Sequence, residues 1–315
     1  MTFGAGTEEG VHFAPDGRSF VTSVGTSQST LWVRDARGER QITSEGYSYM
    51  PSLSADGKRL YYLVRSNGLN SFNQGALWVT HVETGRRQRV LPDFELTHYS
   101  ISGDGQRIVF VAVDGQGRAP VWIASLNGQT PPRQLTTMDA EAAFFGAAGE
   151  VIFGGVFEFY VFRIREDGSE LQKAITAPLV PIAVSPDGLW IAVQDPAAWG
   201  ALIVHPVGGG SPVRLCDRCA PPWGTEPMPF YIGWSPDSKV LYWNVDNATY
   251  AIPLPPGRML PLIPAGGIQS KEGVAALPGA RLISEQDRTV PGPNPSTYAL
   301  VKASTQRNIY RVPVP

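Results

Sequence analysis

Hydrophobic residues along this chain fall in short runs that end at turns rich in glycine and proline. Ser19–Ser23 alternates apolar and polar residues with a period of two, while Arg59–Leu63 and Trp190–Val193 are continuous runs of mostly aliphatic and aromatic residues. Short runs of β-branched and aromatic residues between turn signals predict β-strands. No segment sustains a 3.6-residue periodicity, so the pattern predicts an all-β fold with almost no helix.

A turn motif recurs between the predicted strands and appears first as Ala14-Pro15-Asp16-Gly17. Its proline presets φ, its aspartate caps the turn with its side chain, and its glycine accepts the left-handed conformation. We call this motif the box. The full copies are Ala14–Gly17, Ser54–Gly57, Ser102–Gly105, Ser185–Gly188 and Ser235–Ser238, and two eroded copies are Ala147–Gly149 and Leu277–Gly279.

The spacing of the boxes predicts the architecture. Their last residues are 17, 57, 105, 149, 188, 238 and 279, which gives a mean spacing of (279 − 17)/6, or about 44 residues. A period of about 40–45 residues with four short strands per unit is typical of a propeller blade. We therefore predict a single domain over residues 1–315, a seven-bladed β-propeller with four-stranded antiparallel blades. The predicted units are 9–43, 49–91, 97–136, 141–175, 180–215, 230–263 and 272–312.

The two ends of the chain suggest how such a ring closes. A shift of forty residues places Thr2-Phe3 on Ile42-Thr43, the outer strand before the second box, whereas Asn308–Val312 has the aromatic spacing of a third strand. Because an unpaired sheet edge is an aggregation hazard, we predict that residues 2–4 complete the last blade as its outer strand. Within the last unit, Arg281–Ser284 and Tyr298–Lys302 are alternatives for the second strand.

Charge and composition exclude some partners. The chain carries 26 basic and 28 acidic residues, a net charge of −2, whereas a nucleic-acid surface needs a basic stripe. No apolar stretch reaches the roughly 18 residues of a membrane span, and the N-terminus lacks the regions of a secretory signal. Two cysteines leave the cellular compartment undecided.

The repeats also carry a resemblance. Boxes of the Ser-Pro-Asp-Gly form, followed by a β-run, by Leu-Trp-Val as at Leu77–Val79 and by Arg-Gln-Leu-Thr as at Arg133–Thr136, resemble TolB-type propeller repeats, the WD-repeat-like blades common in bacteria. The resemblance spans the chain, although unit four lacks the Pro-Asp pair and unit seven lacks the aspartate. The tail Tyr298–Lys302 and Gln306–Pro313 looks like the ending of propellers attached behind kinase or winged-helix modules in bacterial signalling proteins. It implies a sensor or partner-binding propeller, in the cytoplasm or on the extracytoplasmic side of a larger membrane protein, with no catalytic residues to carry over.

Ligands of propellers usually approach the central channel or the face reached by loops around the first strands. Alignment on the boxes places these positions near that entrance: Glu9, Tyr49, Thr97, Glu141, Val180, Phe230 and Glu272. The three carboxylates among them could bind calcium or a cationic peptide group, since hard cations prefer oxygen ligands. Because most of the other positions are apolar or aromatic, the favoured alternative is that these carboxylates are solvated loop residues or caps of backbone amides.

Cys216-Asp217-Arg218-Cys219 is the one motif with reactive potential. Two cysteines three residues apart are compatible with half a zinc site, a redox pair, a local disulfide or inert thiols. A full zinc site needs two further ligands, and the chain has no second cysteine pair. The position after an outer strand, rather than before a helix, favours a disulfide that stabilises the loop, or inert thiols.

These observations leave three hypotheses of function. The first is a monomeric, non-catalytic module that binds a protein, a peptide or a small ligand at the channel face. The second is an enzyme of the propeller hydrolase or lactonase type, with a metal held by Glu9, Glu141 and Glu272. The third is a substrate-gating propeller of a larger peptidase. The first is favoured, because the blades use the whole chain and the sequence contains neither a Gly-x-Ser-x-Gly elbow nor a phosphate-binding loop.

Overall fold

The computed structural model describes residues 7–44, 46–65, 74–147, 149–156, 159–198, 200–219, 232–285 and 289–313, and every structural statement below refers to them. The N-terminal part forms strands β1 (Thr7–Phe13), β2 (Ser19–Asp35) and β3 (Gly38–Gln41). The first box is the tight turn between β1 and β2, where the Gly17 amide donates to the Ala14 carbonyl at 2.9 Å.

Five four-stranded antiparallel sheets follow in chain order, each a meander in which neighbouring strands pair. One further pair, Gly75–Leu96, links the first of these sheets to the second. The first sheet is β4 (Ser48–Leu53), β5 (Arg59–Arg65), β6 (Gly75–His81) and β7 (Arg87–Val90). The second is β8 (Leu96–Ile101), β9 (Arg107–Ala112), β10 (Val121–Ser125) and β11 (Arg133–Gln134). The third is β12 (Ala140–Phe145), β13 (Glu150–Gly155), β14 (Val161–Arg165) and β15 (Gln172–Ile175). The fourth is β16 (Val180–Val184), β17 (Trp190–Gln194), β18 (Leu202–Pro206) and β19 (Val213–Cys216).

The fifth sheet contains an insertion between its third and fourth strands. Its strands are β20 (Ile232–Trp234), β21 (Val240–Val245), β22 (Ala248–Pro253) and β23 (Arg281–Ser284), with the short helix α1 (Lys271–Ala275) before the last of them. Ser270 caps α1 by accepting from the Gly273 amide. In the described residues no helix is long and apolar enough to cross a membrane.

The sixth sheet joins the two ends of the chain, and we call it the composite sheet. The C-terminal strands β24 (Thr289–Pro291) and β25 (Tyr298–Pro313) pair with each other, the second half of β2 pairs with β25, and β3 pairs with β2. Beyond this sheet, the first half of β2 and the second half of β25 continue side by side with β1 as a three-stranded extension.

The all-β prediction and the four-stranded antiparallel units are confirmed, but the described residues form six such sheets rather than the seven predicted. The difference arises at the two ends of the chain. Ser19–Ser23 and Thr30–Val33, predicted as separate strands, are one continuous strand whose pairing with β25 is unbroken from Ser19–Pro313 to Arg34–Tyr298. Residues 24–29 contain one glycine and no Pro-Gly or Asn-Gly pair, so no hairpin signal interrupts the strand.

The last predicted unit is also divided differently. Arg281–Ser284 is the fourth strand of the fifth sheet, not a second strand of a seventh. Residues 2–4, predicted to complete the last blade, lie outside the described residues, and β3 holds the fourth position of the composite sheet. The N-terminal part therefore does complete the sheet formed by the C-terminal strands, but it does so through β2 and β3.

Apolar clusters lie between successive sheets and form the core. The second strand of each sheet is central to them: Ile108 and Phe110 of β9 belong to the cluster shared with the first sheet, whereas Val109 and Val111 belong to the cluster shared with the third. All four side chains have no exposed surface. Because both faces of these sheets are covered, their second strands read as continuous apolar runs instead of alternating ones.

Candidate functional site

The first strands of four successive sheets share an irregularity close to their starts. The pairing register shifts between Tyr49 and Ser52 in β4, between Leu96 and His98 in β8, between Ala140 and Ala142 in β12, and between Pro181 and Ala183 in β16. Each shift is a β-bulge, which leaves the extra residue out of the ladder and redirects its side chain. We call the half-buried residues at these positions the bulge set: Met50, Thr97, Glu141 and Ile182.

Two of the predicted entrance residues belong to the bulge set. Thr97 and Glu141 are themselves the bulged residues of β8 and β12, and the Thr97 hydroxyl donates to the Val111 carbonyl at 3.4 Å. Tyr49 and Val180 lie beside the bulges of their strands and are 1% and 4% exposed. Alignment on the boxes thus brings four predicted positions to the same level of four neighbouring first strands.

The other three predicted positions are not brought to that level by the described structure. Glu9 lies on β1 in the three-stranded extension, and its side chain is outside the described part. Phe230 is outside the described residues as well. Glu272 is exposed on α1, because the Leu277–Gly279 copy of the box precedes the fourth strand of the fifth sheet rather than a second strand.

Hydrogen bonds tie the neighbouring first strands together at the bulges. The Tyr99 hydroxyl on β8 donates to the Met50 carbonyl on β4 at 2.6 Å. The Ala143 amide on β12 donates to Nδ1 of His98 on β8 at 3.2 Å, and the His98 ring meets Phe144 edge-on with centroids 4.9 Å apart. These bonds fix the bulged backbones relative to each other across the boundaries between sheets.

Burial keeps both tying side chains uncharged. Desolvation lowers the pKa of His98 to about 4, against the smaller opposing effect of its bond to the Ala143 amide. Desolvation also raises the pKa of Tyr99 well above its ordinary value. At neutral pH the two groups therefore supply shape and hydrogen bonds rather than charge. No sequence signal pointed to either residue, because their role depends on the neighbouring sheet.

Met50 adds backbone strain to this arrangement. Its φ is +49°, in the left-handed region that non-glycine residues rarely adopt. Such a conformation costs on the order of 1–3 kcal/mol and persists only where the surroundings impose it, most often at binding or catalytic sites. Here Tyr99 holds the Met50 carbonyl in place.

Glu141, Glu272 and the cysteine pair, which the sequence offered as candidate metal ligands, lie on separate elements of the described structure. Within the described ranges, no group of three or more His, Cys, Asp or Glu side chains is placed to hold a metal ion. Glu141 and Glu272 lie on a first strand and on α1, respectively. Cys216 and Cys219 form a disulfide with Cα atoms 5.8 Å apart, and both are buried at the end of β19.

Solved structures that share this fold include TolB proteins from bacteria. A TolB-like protein from Agrobacterium tumefaciens superposes with a TM-score of 0.60 over 89% of this chain and 99% of that chain, at 16% sequence identity. TolB from Acinetobacter baumannii superposes with a TM-score of 0.53 over 77% of this chain and 60% of its own, at 15% identity. The chain has the fold of a TolB-type β-propeller.

A third solved structure also shares the fold. A nidogen/laminin complex contains a chain that superposes with a TM-score of 0.51 over 72% of this chain and 89% of its own, at 11% identity. No protein-family model matches the sequence, and no curated protein matches it either. In a propeller the sheets stand around a central channel. In this fold the bulge set lies on the first strands of four successive sheets.

Proposed function

We propose that this TolB-type propeller is a non-catalytic module that binds a protein or peptide partner at the bulge set, Met50, Thr97, Glu141 and Ile182. The observation that carries the proposal is the recurrence of a bulge at one level of four neighbouring first strands, together with the strained Met50 backbone. Bulges interrupt the ladder and re-aim side chains, and they are enriched beside binding and active sites.

The chemistry of the bulge set fits a peptide. A hydroxyl, a carboxylate and two apolar side chains are half-buried there, so a ligand would meet polar and apolar contacts on a rigid frame. Small-ligand and peptide sites typically combine an apolar surface with a few fixed polar groups. Glu141 favours a ligand that presents a basic or amide group to it. The resemblance of the tail to propellers of bacterial signalling proteins supports a role as the sensing or partner-binding part of a larger protein.

A peptide selection tests the proposal. Random dodecapeptides displayed on phage are selected on the immobilised protein, and the Kd of each enriched peptide is measured by fluorescence anisotropy. We expect the variant Thr97→Arg/Glu141→Lys to weaken binding by about tenfold or more, since it fills the bulges and reverses a charge. The matched control is Thr130→Arg/Glu285→Lys, which makes the same changes at exposed positions.

Two results would contradict this function. One is a selection that enriches no peptide with measurable affinity. The other is a set of enriched peptides whose affinities respond equally to the bulge-set variant and to the control. Circular dichroism and thermal unfolding of each variant show whether a lost affinity reflects lost structure.

A further inference from the structure

A groove opens between the first and second sheets at the end of the molecule where the boxes lie. Its volume is about 500 Å³, within the range of roughly 300–1,000 Å³ that is usual for ligand sites. One wall comes from the first sheet and includes Arg59, His81, Arg86 and Arg87. The other wall comes from the turns of the second sheet, at Gly105–Gln106 and at Leu126–Asn127.

Positive charge dominates the walls. Arg59 and Arg86 are exposed, and no described carboxylate pairs with either within ion-pair distance. The guanidinium of Arg87 lies instead over the Trp78 ring, 5.6 Å from its centroid, on the opposite face of the first sheet. No aspartate or glutamate lines the groove. The whole chain has a net charge of −2, so this cluster is a local concentration of positive charge on a slightly acidic protein. Such a concentration would attract anions.

The aspartates of the two boxes beside the groove are occupied within their own turns. Asp56 accepts from the Ser54 hydroxyl at 2.6 Å and from the Lys58 amide at 3.0 Å. Asp104 accepts from the Ser102 hydroxyl and lies 3.8 Å from the Arg107 guanidinium. Asp56 also interacts with Arg59 through space, but it leaves the guanidinium without a direct partner.

The floor of the groove is apolar. Tyr61 and Val79 continue the face of the first sheet inward from Arg59 and His81, and Val90 and Leu126 complete the lining. The latter two and Val79 are half-buried, so carbon surface remains available below the guanidinium groups. A ligand that suits both levels carries carboxylates above and an aliphatic side chain below.

We propose that this groove binds an acidic, extended peptide segment of a partner protein, with carboxylates on Arg59 and Arg86 and an apolar side chain on the Tyr61–Leu126 floor. Guanidinium groups bind carboxylates through paired, charge-assisted hydrogen bonds. The apolar floor favours a peptide over a nucleic acid, because binding the phosphate backbone of a nucleic acid requires a longer basic stripe. The groove is separate from the bulge set, which lies at the other end of the first strands, so the two proposals fail independently.

The probe is a fluorescein-labelled peptide of alternating glutamate and leucine, six residues long, and its counterpart with glutamine in place of glutamate. Fluorescence anisotropy at low and at high salt gives the Kd of each. We expect the glutamate peptide to bind, the glutamine peptide to bind about tenfold more weakly or worse, and added salt to weaken the first more than the second. Millimolar inorganic phosphate should not displace the peptide, since phosphate makes no contact with the floor.

The variant Arg59→Gln/Arg86→Gln removes the charge and keeps long polar side chains. We expect it to weaken the glutamate peptide by about tenfold or more. Arg18→Gln/Arg218→Gln is the matched control, because it changes the net charge equally at exposed positions elsewhere.

Three outcomes would overturn the proposal. They are equal affinities for the glutamate and glutamine peptides, equal losses in the groove variant and the control, and displacement of the peptide by a short oligothymidylate at lower concentration than by unlabelled peptide. If circular dichroism shows that the double variant is unfolded, the single variants Arg59→Gln and Arg86→Gln decide instead. In that case an affinity unchanged in both would refute the site.

Discussion

A buried histidine makes the stability of this propeller sensitive to mild acid. His98 is 9% exposed on β8, and its Nδ1 accepts from the Ala143 amide on the next sheet. We predict that replacing it with asparagine, whose side-chain oxygen can accept the same hydrogen bond without titrating, removes most of this sensitivity between pH 7 and pH 5.

The sign and the size follow from the two pKa values. The pKa of His98 is about 4 in the folded protein, and a histidine in an unfolded chain has a pKa of about 6.5. The unfolded state therefore binds the proton more readily, so stability is complete above pH 6.5 and is lost as the pH falls towards 4. Linkage gives a loss of about 2 kcal/mol at pH 5 and about 3 kcal/mol below pH 4.

Urea unfolding at pH 7 and pH 5 measures the effect. The free energy of unfolding of the parent protein should fall between these two values by about 2 kcal/mol more than that of His98→Asn. His205, whose pKa burial also lowers, titrates equally in both proteins and cancels from the difference. The reasoning is refuted if the two proteins lose the same free energy over this interval.

Three further predictions concern the core, the turns and the composite sheet. Phe110→Ala should destabilise the protein by about 3–5 kcal/mol in urea unfolding, whereas Phe13→Ala, at a position 67% exposed, should cost less than about 0.5 kcal/mol; similar losses would contradict the core described above. Gly188→Ala should lower the melting temperature more than Gly128→Ala. Both glycines have φ near +70°, but a Cβ at 188 would lie 1.9 Å from a backbone nitrogen, whereas a Cβ at 128 would meet nothing within 4 Å. Equal shifts in melting temperature would show that the backbone around residue 188 moves away from the added Cβ without loss of stability. Deleting residues 298–313 should expose the core of the composite sheet and give an aggregating, dye-binding protein in size-exclusion chromatography and 1-anilinonaphthalene-8-sulfonate fluorescence, and a compact, non-binding monomer would disprove that pairing.

Much of the architecture could be predicted because it depends on local chemistry. The second strands at Arg59–Leu63, Arg107–Val111 and Trp190–Val193 were identified from their apolar runs, and they are β5, β9 and β17. Each follows a box whose glycine adopts a positive φ, as at Gly57 and Gly188. Strand and turn therefore carried the same signal, and neither depended on distant parts of the chain.

The number of sheets depended on distant parts of the chain and could not be derived in the same way. Alternation shows that Ser19–Ser23 is a strand but does not show where that strand ends. Its partner, residues 309–313, lies nearly three hundred positions later, and that pairing determines that β2 continues to Asp35. The spacing of Leu277–Gly279 was likewise misleading, because α1 and its flanking loops lengthen the fifth unit.

The candidate site shows the same division. A fixed distance from the box located Thr97 and Glu141, since the register of a first strand is set by the turn that ends it. The left-handed backbone of Met50 and the interactions of His98 with β12 gave no sequence signal, because both involve the neighbouring sheet. No sequence signal indicated the basic groove either, because Arg59 and Arg86 are 27 positions apart and line the same wall only in the folded sheet.

The boxes give a physical reason why the proposed binding of an acidic peptide at their end of the molecule relies on arginine side chains. Hydrogen bonds from Ser54, Ser102 and Ser235 are the leading cause of the lowered pKa values of the aspartates two residues after them, so these carboxylates are committed to holding their turns. These aspartates are already used in their turns, whereas no described carboxylate pairs with Arg59 or Arg86 within ion-pair distance. A fold that uses the carboxylates of most of its boxes in this way leaves cations as the available charges there. In the groove between the first and second sheets, Arg59 and Arg86 lie above a floor of apolar side chains.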